Sequence, residues 1–256
     1  MPFHHALGAL GPFVAAFLVS ALDAGRAGAL DLVRRMGFWR HRIGWLLFAL
    51  LGPLVMFGLA VLGMWIVGGH RPSLAGFGVS REFPQFLPLA FFAYNVLTFG
   101  YGEEVGWRGF ALPRLQARHG ALVSTLLLTI GWAIWHIPLF FYRPGYLTMG
   151  AAGIAGWFFS LLTGAVLLTW LFNESHGSIL VVALFHATVD IAFTSEMSTP
   201  FVVNAAGSVI TIFGIAVLIF AGPRYLSRSG MVMRSRDKER VIEFMGRDGV
   251  IRPNDG

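Results

Sequence analysis

The apolar stretch at residues 43–69, IGWLLFALLGPLVMFGLAVLGMWIVGG, decides the class of fold. It contains no charged side chain. It also exceeds the about 20 apolar residues that a helix needs to cross a hydrocarbon core roughly 30 Å thick. The stretch therefore predicts a helix that spans a membrane.

The rest of the chain repeats this pattern, which predicts an all-α, polytopic transmembrane helix bundle of about seven spans. The other predicted spans are residues 6–22, 85–112, 121–140, 151–172, 178–194 and 201–222. They define one membrane domain, residues 1–222, followed by a basic tail, residues 223–256. The first stretch has small residues at 19–21, as a signal peptide would, but it lacks a basic segment before them, and we favour a retained span.

Composition supports a membrane protein and excludes several other classes. Of the 256 residues, 56% are hydrophobic and only 12% are charged, which leaves too little polar surface for a soluble globule. The chain has no cysteine, so disulfides, thiolate metal sites and cysteine nucleophiles are excluded. The net charge of +6 comes from basic residues beside apolar segments, where lipid headgroups explain them, and we expect no nucleic-acid partner.

Basic residues in the connections predict the orientation of the bundle, because they are retained on the cytoplasmic side. They are concentrated in the connection after the first span and in the tail, and they are sparse in residues 70–84 and 141–150. The clustered residues before the second span are Arg26, Arg34, Arg35, Arg40 and Arg42. This pattern predicts an outside N-terminus and a cytoplasmic tail, which could be either an amphipathic surface helix or a solvated segment.

The location follows from the same features. Arg supplies all but one of the 19 basic residues, which indicates a GC-rich bacterial genome. We therefore expect a multi-pass protein of the cell membrane, in the inner membrane of a bacterium.

Ionisable residues inside predicted spans are few, and each is expensive in an apolar environment, so each is a candidate for function. The six candidates are Glu103, Glu104, Arg108, His136, His186 and Asp190. One such residue could be a satisfied core side chain. Six of them on three spans indicate a polar site within the bundle.

The glutamates occupy the segment Gly100-Tyr-Gly-Glu-Glu-Val-Gly-Trp-Arg-Gly109. Glu104 and Arg108 are four residues apart, so they share one helix face and can form an ion pair that leaves Glu103 to point elsewhere. Adjacent carboxylates repel in a low dielectric, which suits one of them to general acid or base catalysis. The four glycines of this segment predict the close approach of another helix or of a substrate backbone.

Spacing also relates the histidines to the glutamates. Glu103 lies 17 residues before Gly120 and His136 lies 16 residues after it, so the two reach similar depths in an antiparallel pair unless Pro113 breaks the first helix. His186 and Asp190 are four residues apart and share one face. Asp190 could orient or charge the imidazole, or both side chains could touch a common ligand or a reacting oxygen.

Three short segments carry a family resemblance. They are Glu103-Glu104-Val-Gly-Trp-Arg108, Trp132-Ala-Ile-Trp-His136 and His186-Ala-Thr-Val-Asp190, within a core at residues 95–195. Their order resembles the three motifs of the CPBP intramembrane proteases, which include the type II CAAX prenyl endopeptidases and bacterial relatives linked to bacteriocin processing or immunity.

The resemblance implies a role for each matching residue. Glu103 and His136 would activate the water that attacks the peptide carbonyl, and His186 and Asp190 would stabilise the oxyanion. Glu104 and Arg108 would support the site.

Two positions depart from the family's pattern. Trp132 stands where Phe is common, which we expect to affect packing only. Asp190 stands where Asn is common, and an ionised Asp cannot donate a hydrogen bond to an oxyanion. Asp190 must therefore be protonated if it has that role, or else it orients His186.

The resemblance leaves the cofactor open, because the family has been described both as metal-dependent and as glutamate-dependent. Zinc could be held by His136, His186 and Glu103, but the sequence has no His-x-x-x-His motif, and we favour a site without a metal. The implied partners are the lipid bilayer and a peptide or protein substrate, whether lipidated or otherwise membrane-associated. The alternatives are a proton-coupled transporter and a non-catalytic immunity or partner-binding membrane protein.

Overall fold

A computed structural model describes residues 2–37, 43–69, 73–230 and 232–233. The tail from residue 234 onward lies outside this range, as do Arg40 and Arg42. The two predictions for the tail are therefore not addressed by the structure. Within the described ranges the chain is helical and forms no strand, apart from one isolated bridge between Ser80 and Ser195.

In chain order the helices are α1 (Pro2–Ala9), α2 (Gly11–Met36), α3 (Ile43–Gly68), α4 (Pro88–Asn95), α5 (Gly102–Glu104), α6 (Leu112–Gln116), α7 (Ala121–His136), α8 (Pro144–Leu147), α9 (Ala151–Glu174), α10 (Ile179–Thr194) and α11 (Pro200–Ala221). Every connection between consecutive helices is shorter than ten residues except residues 69–87, between α3 and α4. Two π-helical segments, Val96–Tyr101 and Val105–Ala111, join α4, α5 and α6 into one continuous helical stretch, residues 88–116. We call this stretch the glutamate helix.

Five helices within the described residues are long and apolar enough to cross a membrane. They are Ala6–Met36, Ile43–Gly68, Ala121–Phe141, Ala151–Glu174 and Pro200–Ala221. The shorter α10 is also apolar, and it packs against α3, α9, α11 and the glutamate helix. The predicted all-helical membrane fold is thus confirmed, whereas the count of seven spans stays a prediction.

The first predicted span, 6–22, ended too early. Helix α2 continues to Met36, with a kink at Ala24 and Gly25, where Gly25 has a φ of 59°. Helical structure resumes after the kink because Leu32 is buried in the core and Arg35 donates a hydrogen bond of 2.8 Å to the carbonyl oxygen of Gly109. Three of the arginines that we assigned to a connection therefore belong to a helix.

Close packing of α1, α2 and α10 against the glutamate helix depends on its glycines. A Cβ built on Gly102 would lie 2.7 Å from the carbonyl oxygen of Ala9, and one on Gly106 would lie 2.6 Å from that of Pro12. A Cβ on Gly100 would lie 2.7 Å from the carbonyl oxygen of Ala183. The predicted close approach of another helix is confirmed.

Pro113 does not break the glutamate helix. It lies in the first turn of α6, where a missing N–H is tolerated, and the wider π-helical segment Val105–Ala111 comes directly before that turn. The helical path from Glu103 toward Gly120 is therefore maintained as far as Gln116.

Candidate active site

The two glutamates lie in a short α-helical segment between two π-helical segments. A π turn contains an additional residue, so it rotates the side chains that follow it, and such turns are frequent at functional sites. Glu103 is 6% exposed and Glu104 is fully buried. Both carboxyl groups are therefore inside the bundle.

Glu104 has two charged or chargeable partners. Its Oε1 accepts a hydrogen bond of 2.8 Å from Nη1 of Arg108, which confirms the predicted ion pair. The same oxygen lies 2.8 Å from Nδ1 of His186. Because an ionised carboxylate can only accept, His186 carries a proton on Nδ1 and directs Nε2 away from Glu104.

The contact between Glu104 and His186 was not predicted from the sequence. The residues are 82 positions apart, and neither motif contains a signal that would pair them. Glu104 therefore does more than pair with Arg108, because it also fixes the orientation of one of the two site histidines.

Glu103 is held by a different neighbour. Its Oε2 accepts a hydrogen bond of 2.6 Å from the indole N–H of Trp132, which is 5% exposed. The guanidinium carbon of Arg108 lies 4.4 Å from the centroid of the Trp132 ring. The expectation that Trp132 affects packing only is wrong, because its indole carries a polar contact that Phe could not make.

His136 lies at the C-terminal end of α7, one turn after Trp132. Its Nδ1 lies 2.7 Å from the carbonyl oxygen of Trp132 and donates to it, since a carbonyl can only accept. Nε2 of His136 is then left as a proton acceptor. The predicted pair of Glu103 and His136 is thus linked through Trp132, whose N–H binds one and whose carbonyl oxygen binds the other.

His186 and Asp190 share one face of α10, as their spacing predicted. Nε2 of His186 lies 3.8 Å from Oδ2 of Asp190, which is within ion-pair range but too long for a hydrogen bond. The Trp132 ring lies 5.7 Å from the His186 ring and 5.7 Å from the His136 ring, measured between centroids. Trp132 therefore contacts both histidines.

Aromatic side chains border the site beyond His136. The ring of Trp157 on α9 lies 5.7 Å from that of His136 and packs on Phe140 and Tyr146, at centroid distances of 5.2 Å and 6.0 Å. Tyr146 belongs to the connection between α7 and α9, where burial raises the pKa of its phenol. The hydroxyl group of Tyr146 is consequently neutral over the physiological pH range.

A zinc ion held by Glu103, His136 and His186 requires the three side chains to converge on one point. Among the described residues, no group of three His, Asp or Glu side chains is placed to hold a metal ion. Nδ1 of each histidine is engaged, one by Glu104 and the other by a backbone carbonyl, which leaves Nε2 of each ring as the nitrogen that a metal ion could bind.

The fold and the site together define a polytopic helical membrane protein with a buried centre of carboxylates and histidines. Residues 84–192, which contain all three motifs, match the family described as type II CAAX prenyl endopeptidase Rce1-like. CAAX prenyl protease 2 from Methanococcus maripaludis is 26% identical over 175 residues, which are 67% of this chain and 56% of that relative. The family resemblance inferred from the motifs is confirmed over this core, and the chain spans little more than half of the relative's length.

Proposed function

We propose that the protein is an intramembrane endopeptidase in which Glu103 and His136 activate the water that attacks a peptide carbonyl. The observation that carries the proposal is the linkage of both side chains through Trp132, at 2.6 Å and 2.7 Å. A general base and its partner must be held in a fixed orientation to take a proton from water efficiently. The family match at residues 84–192 supports a peptidase rather than a transporter.

In the proposed reaction, Glu103 accepts a proton from water as the water oxygen bonds to the carbonyl carbon. The carbonyl π bond breaks, and its electron pair becomes the oxyanion of a tetrahedral intermediate. The C–N bond then breaks, and the departing amine takes the proton that Glu103 holds. Nε2 of His136, the free acceptor of that ring, orients the water during the attack.

His186 is proposed to stabilise the oxyanion. With Nδ1 bound to Glu104, a protonated Nε2 would donate a hydrogen bond to the developing negative charge. Asp190, 3.8 Å from that nitrogen, would favour the protonated form of the imidazole. Asp190 therefore acts through His186 in this proposal, and Arg108 acts through Glu104.

The substrate is proposed to be a peptide or protein segment that reaches the site from the bilayer. The relative is named a CAAX prenyl protease, and a lipidated or otherwise membrane-associated substrate is a proposal for this chain. Comparing one fluorogenic peptide with and without a C-terminal lipid, in vesicles, measures this preference. Equal turnover of both forms would contradict a requirement for the lipid.

We further propose seven spans with an outside N-terminus, a membrane domain at residues 1–222 and a cytoplasmic tail at residues 223–256. The glutamate helix and α10 would be the two spans in addition to the five longer ones. Reporter fusions expressed in a bacterial inner membrane test the topology: those after residues 36, 119, 174 and 230 should report the cytoplasmic side, and those after residues 80 and 147 the outside. A fusion that reports the side opposite to the predicted one would overturn the topology.

The direct test is cleavage of a peptide library by the purified protein. Glu103→Gln and His136→Gln are each expected to abolish cleavage, while the exposed control variants Glu196→Gln and His119→Gln retain it. Cleavage retained by either site variant refutes the mechanism. Proton uptake into proteoliposomes without peptide cleavage would instead indicate the transporter.

The proposed mechanism uses no metal. Cleavage should therefore persist after dialysis against a chelator and should not increase when zinc is returned. Loss of activity with chelator and its recovery with zinc would replace the metal-free mechanism while leaving the peptidase assignment in place.

A further inference from the structure

We infer that Trp132 is a positioning residue, whose indole N–H holds the Glu103 carboxylate in the orientation in which it accepts a proton from water. This inference rests on the proposed function and extends it to a residue outside the proposed water-activating pair.

The contact itself is short and buried. The nitrogen-to-oxygen distance is 2.6 Å, at the short end for an N–H donor, as expected when the acceptor is charged. Glu103 is 6% exposed and Trp132 is 5% exposed, so bulk water does not compete freely for either group. A carboxylate at such depth depends on the donor that binds it.

The alternative partner for Glu103 is Arg108. Two nitrogens of that guanidinium group, Nε and Nη2, are buried without a hydrogen-bond partner among the described residues. They attract a nearby carboxylate, and Glu103 lies five residues before Arg108 on the same helix. If Glu103 turned toward Arg108, it would become the second carboxylate of an ion pair and would lose its basic character.

Two contacts of the Trp132 ring oppose this turning of Glu103 toward Arg108. The face of the ring lies against the guanidinium of Arg108, at 4.4 Å, while its N–H binds Oε2 of Glu103. Oε1 of Glu103 is then the oxygen left for the proton of the attacking water. The backbone carbonyl of Trp132 fixes the proton of His136 at the same time, at 2.7 Å.

A Phe at this position would keep an aromatic ring but would lose the N–H and part of the volume of the indole. The backbone carbonyl that binds His136 would persist. The matched control is Trp45→Phe, which makes the same change in size, because the indole nitrogen of Trp45 is also buried but has no hydrogen-bond partner among the described residues. The difference between the two variants therefore reports the hydrogen bond.

The first experiment measures peptide cleavage by the wild type and both variants. We expect Trp132→Phe to lower kcat roughly 10- to 100-fold with little change in KM, since the loss is in alignment and not in binding. Trp45→Phe should match the wild type in both respects.

A second experiment does not depend on activity. In a thermal unfolding cycle, Trp132→Phe should lower Tm by about 3–12 °C in the wild type and by much less in a Glu103→Leu background. A variant with 3-benzothienylalanine at position 132, which replaces the N–H by sulfur at nearly constant shape, should reproduce the Phe variant. This variant takes the place of Trp132→Phe in the cycle if the Phe variant folds poorly.

The outcomes separate the inference from the proposed function. Wild-type protein that cleaves peptides, together with a Trp132→Phe variant that keeps the wild-type kcat, overturns the positioning role. Additive Tm shifts in the unfolding cycle overturn the hydrogen bond itself. A wild-type protein that cleaves nothing in the library, while the cycle remains non-additive, refutes the proposed function and the positioning role together but upholds the contact.

Discussion

Replacing Arg108 with Met should destabilise the protein severely, because it leaves a carboxylate without its cation in a buried site. Both Arg108 and Glu104 have fully buried side chains and are joined at 2.8 Å. Removing one partner of such a pair costs about 3–5 kcal/mol, mostly because the remaining charge is uncompensated. For a chain of this size, about 2–4 °C of Tm corresponds to each kcal/mol, so we expect a decrease of roughly 6–20 °C.

A double variant separates the uncompensated charge from lost packing. Arg108→Met combined with Glu104→Gln removes both charges, and it should recover at least half of the lost Tm. The control is Asp23→Asn, which breaks an exposed ion pair with Arg114 at 3.7 Å and should change stability by less than about 1 kcal/mol. Thermal unfolding in detergent, followed by intrinsic fluorescence, measures all three variants. An Arg108→Met variant no less stable than Asp23→Asn would refute the reasoning.

Two further substitutions test the packing and the charge of the site. Gly106→Ala should reduce Tm by several degrees, since the new Cβ would lie 2.6 Å from the carbonyl oxygen of Pro12. Gly58→Ala in α3 should be neutral or stabilising, because no atom lies within 4 Å of its new Cβ. Equal Tm values for the two variants would contradict this prediction. Asp190→Asn and Asp190→Leu should each lower peptide cleavage by no more than about ten-fold and to a similar extent, because both remove the charge 3.8 Å from Nε2 of His186 while Glu104, the closer partner at 2.8 Å, remains. A much larger loss in Asp190→Leu than in Asp190→Asn would show that Asp190 acts by hydrogen bonding and not by its charge.

Much of the helical framework could be predicted from the sequence, because hydropathy is a local property. The predicted spans 43–69 and 201–222 agree almost to the residue with the observed helices Ile43–Gly68 and Pro200–Ala221. The end of the first span was missed because the polar stretch after Asp23 looks like a connection. Its helix is stabilised by contacts with distant parts of the chain, such as the hydrogen bond from Arg35 to Gly109.

The site was predictable where its contacts follow helical periodicity. The ion pair of Glu104 and Arg108 and the shared face of His186 and Asp190 are both i,i+4 relationships. Contacts between helices depend instead on how each helix is rotated about its axis, which the sequence does not state. The hydrogen bond from Trp132 to Glu103 and the contact of Glu104 with His186 belong to this second kind.

The direction in which the two carboxylates point depends on the number of residues in the π-helical segments that flank them. Each α-helical residue advances the chain by about 100°, so deleting one residue within Val96–Tyr101 would turn that π segment into an ordinary α turn. The residues before it could keep their packing while everything after it changed face relative to them. Insertions and deletions in this helix would therefore turn the site residues away from their partners, even where they remove no functional side chain.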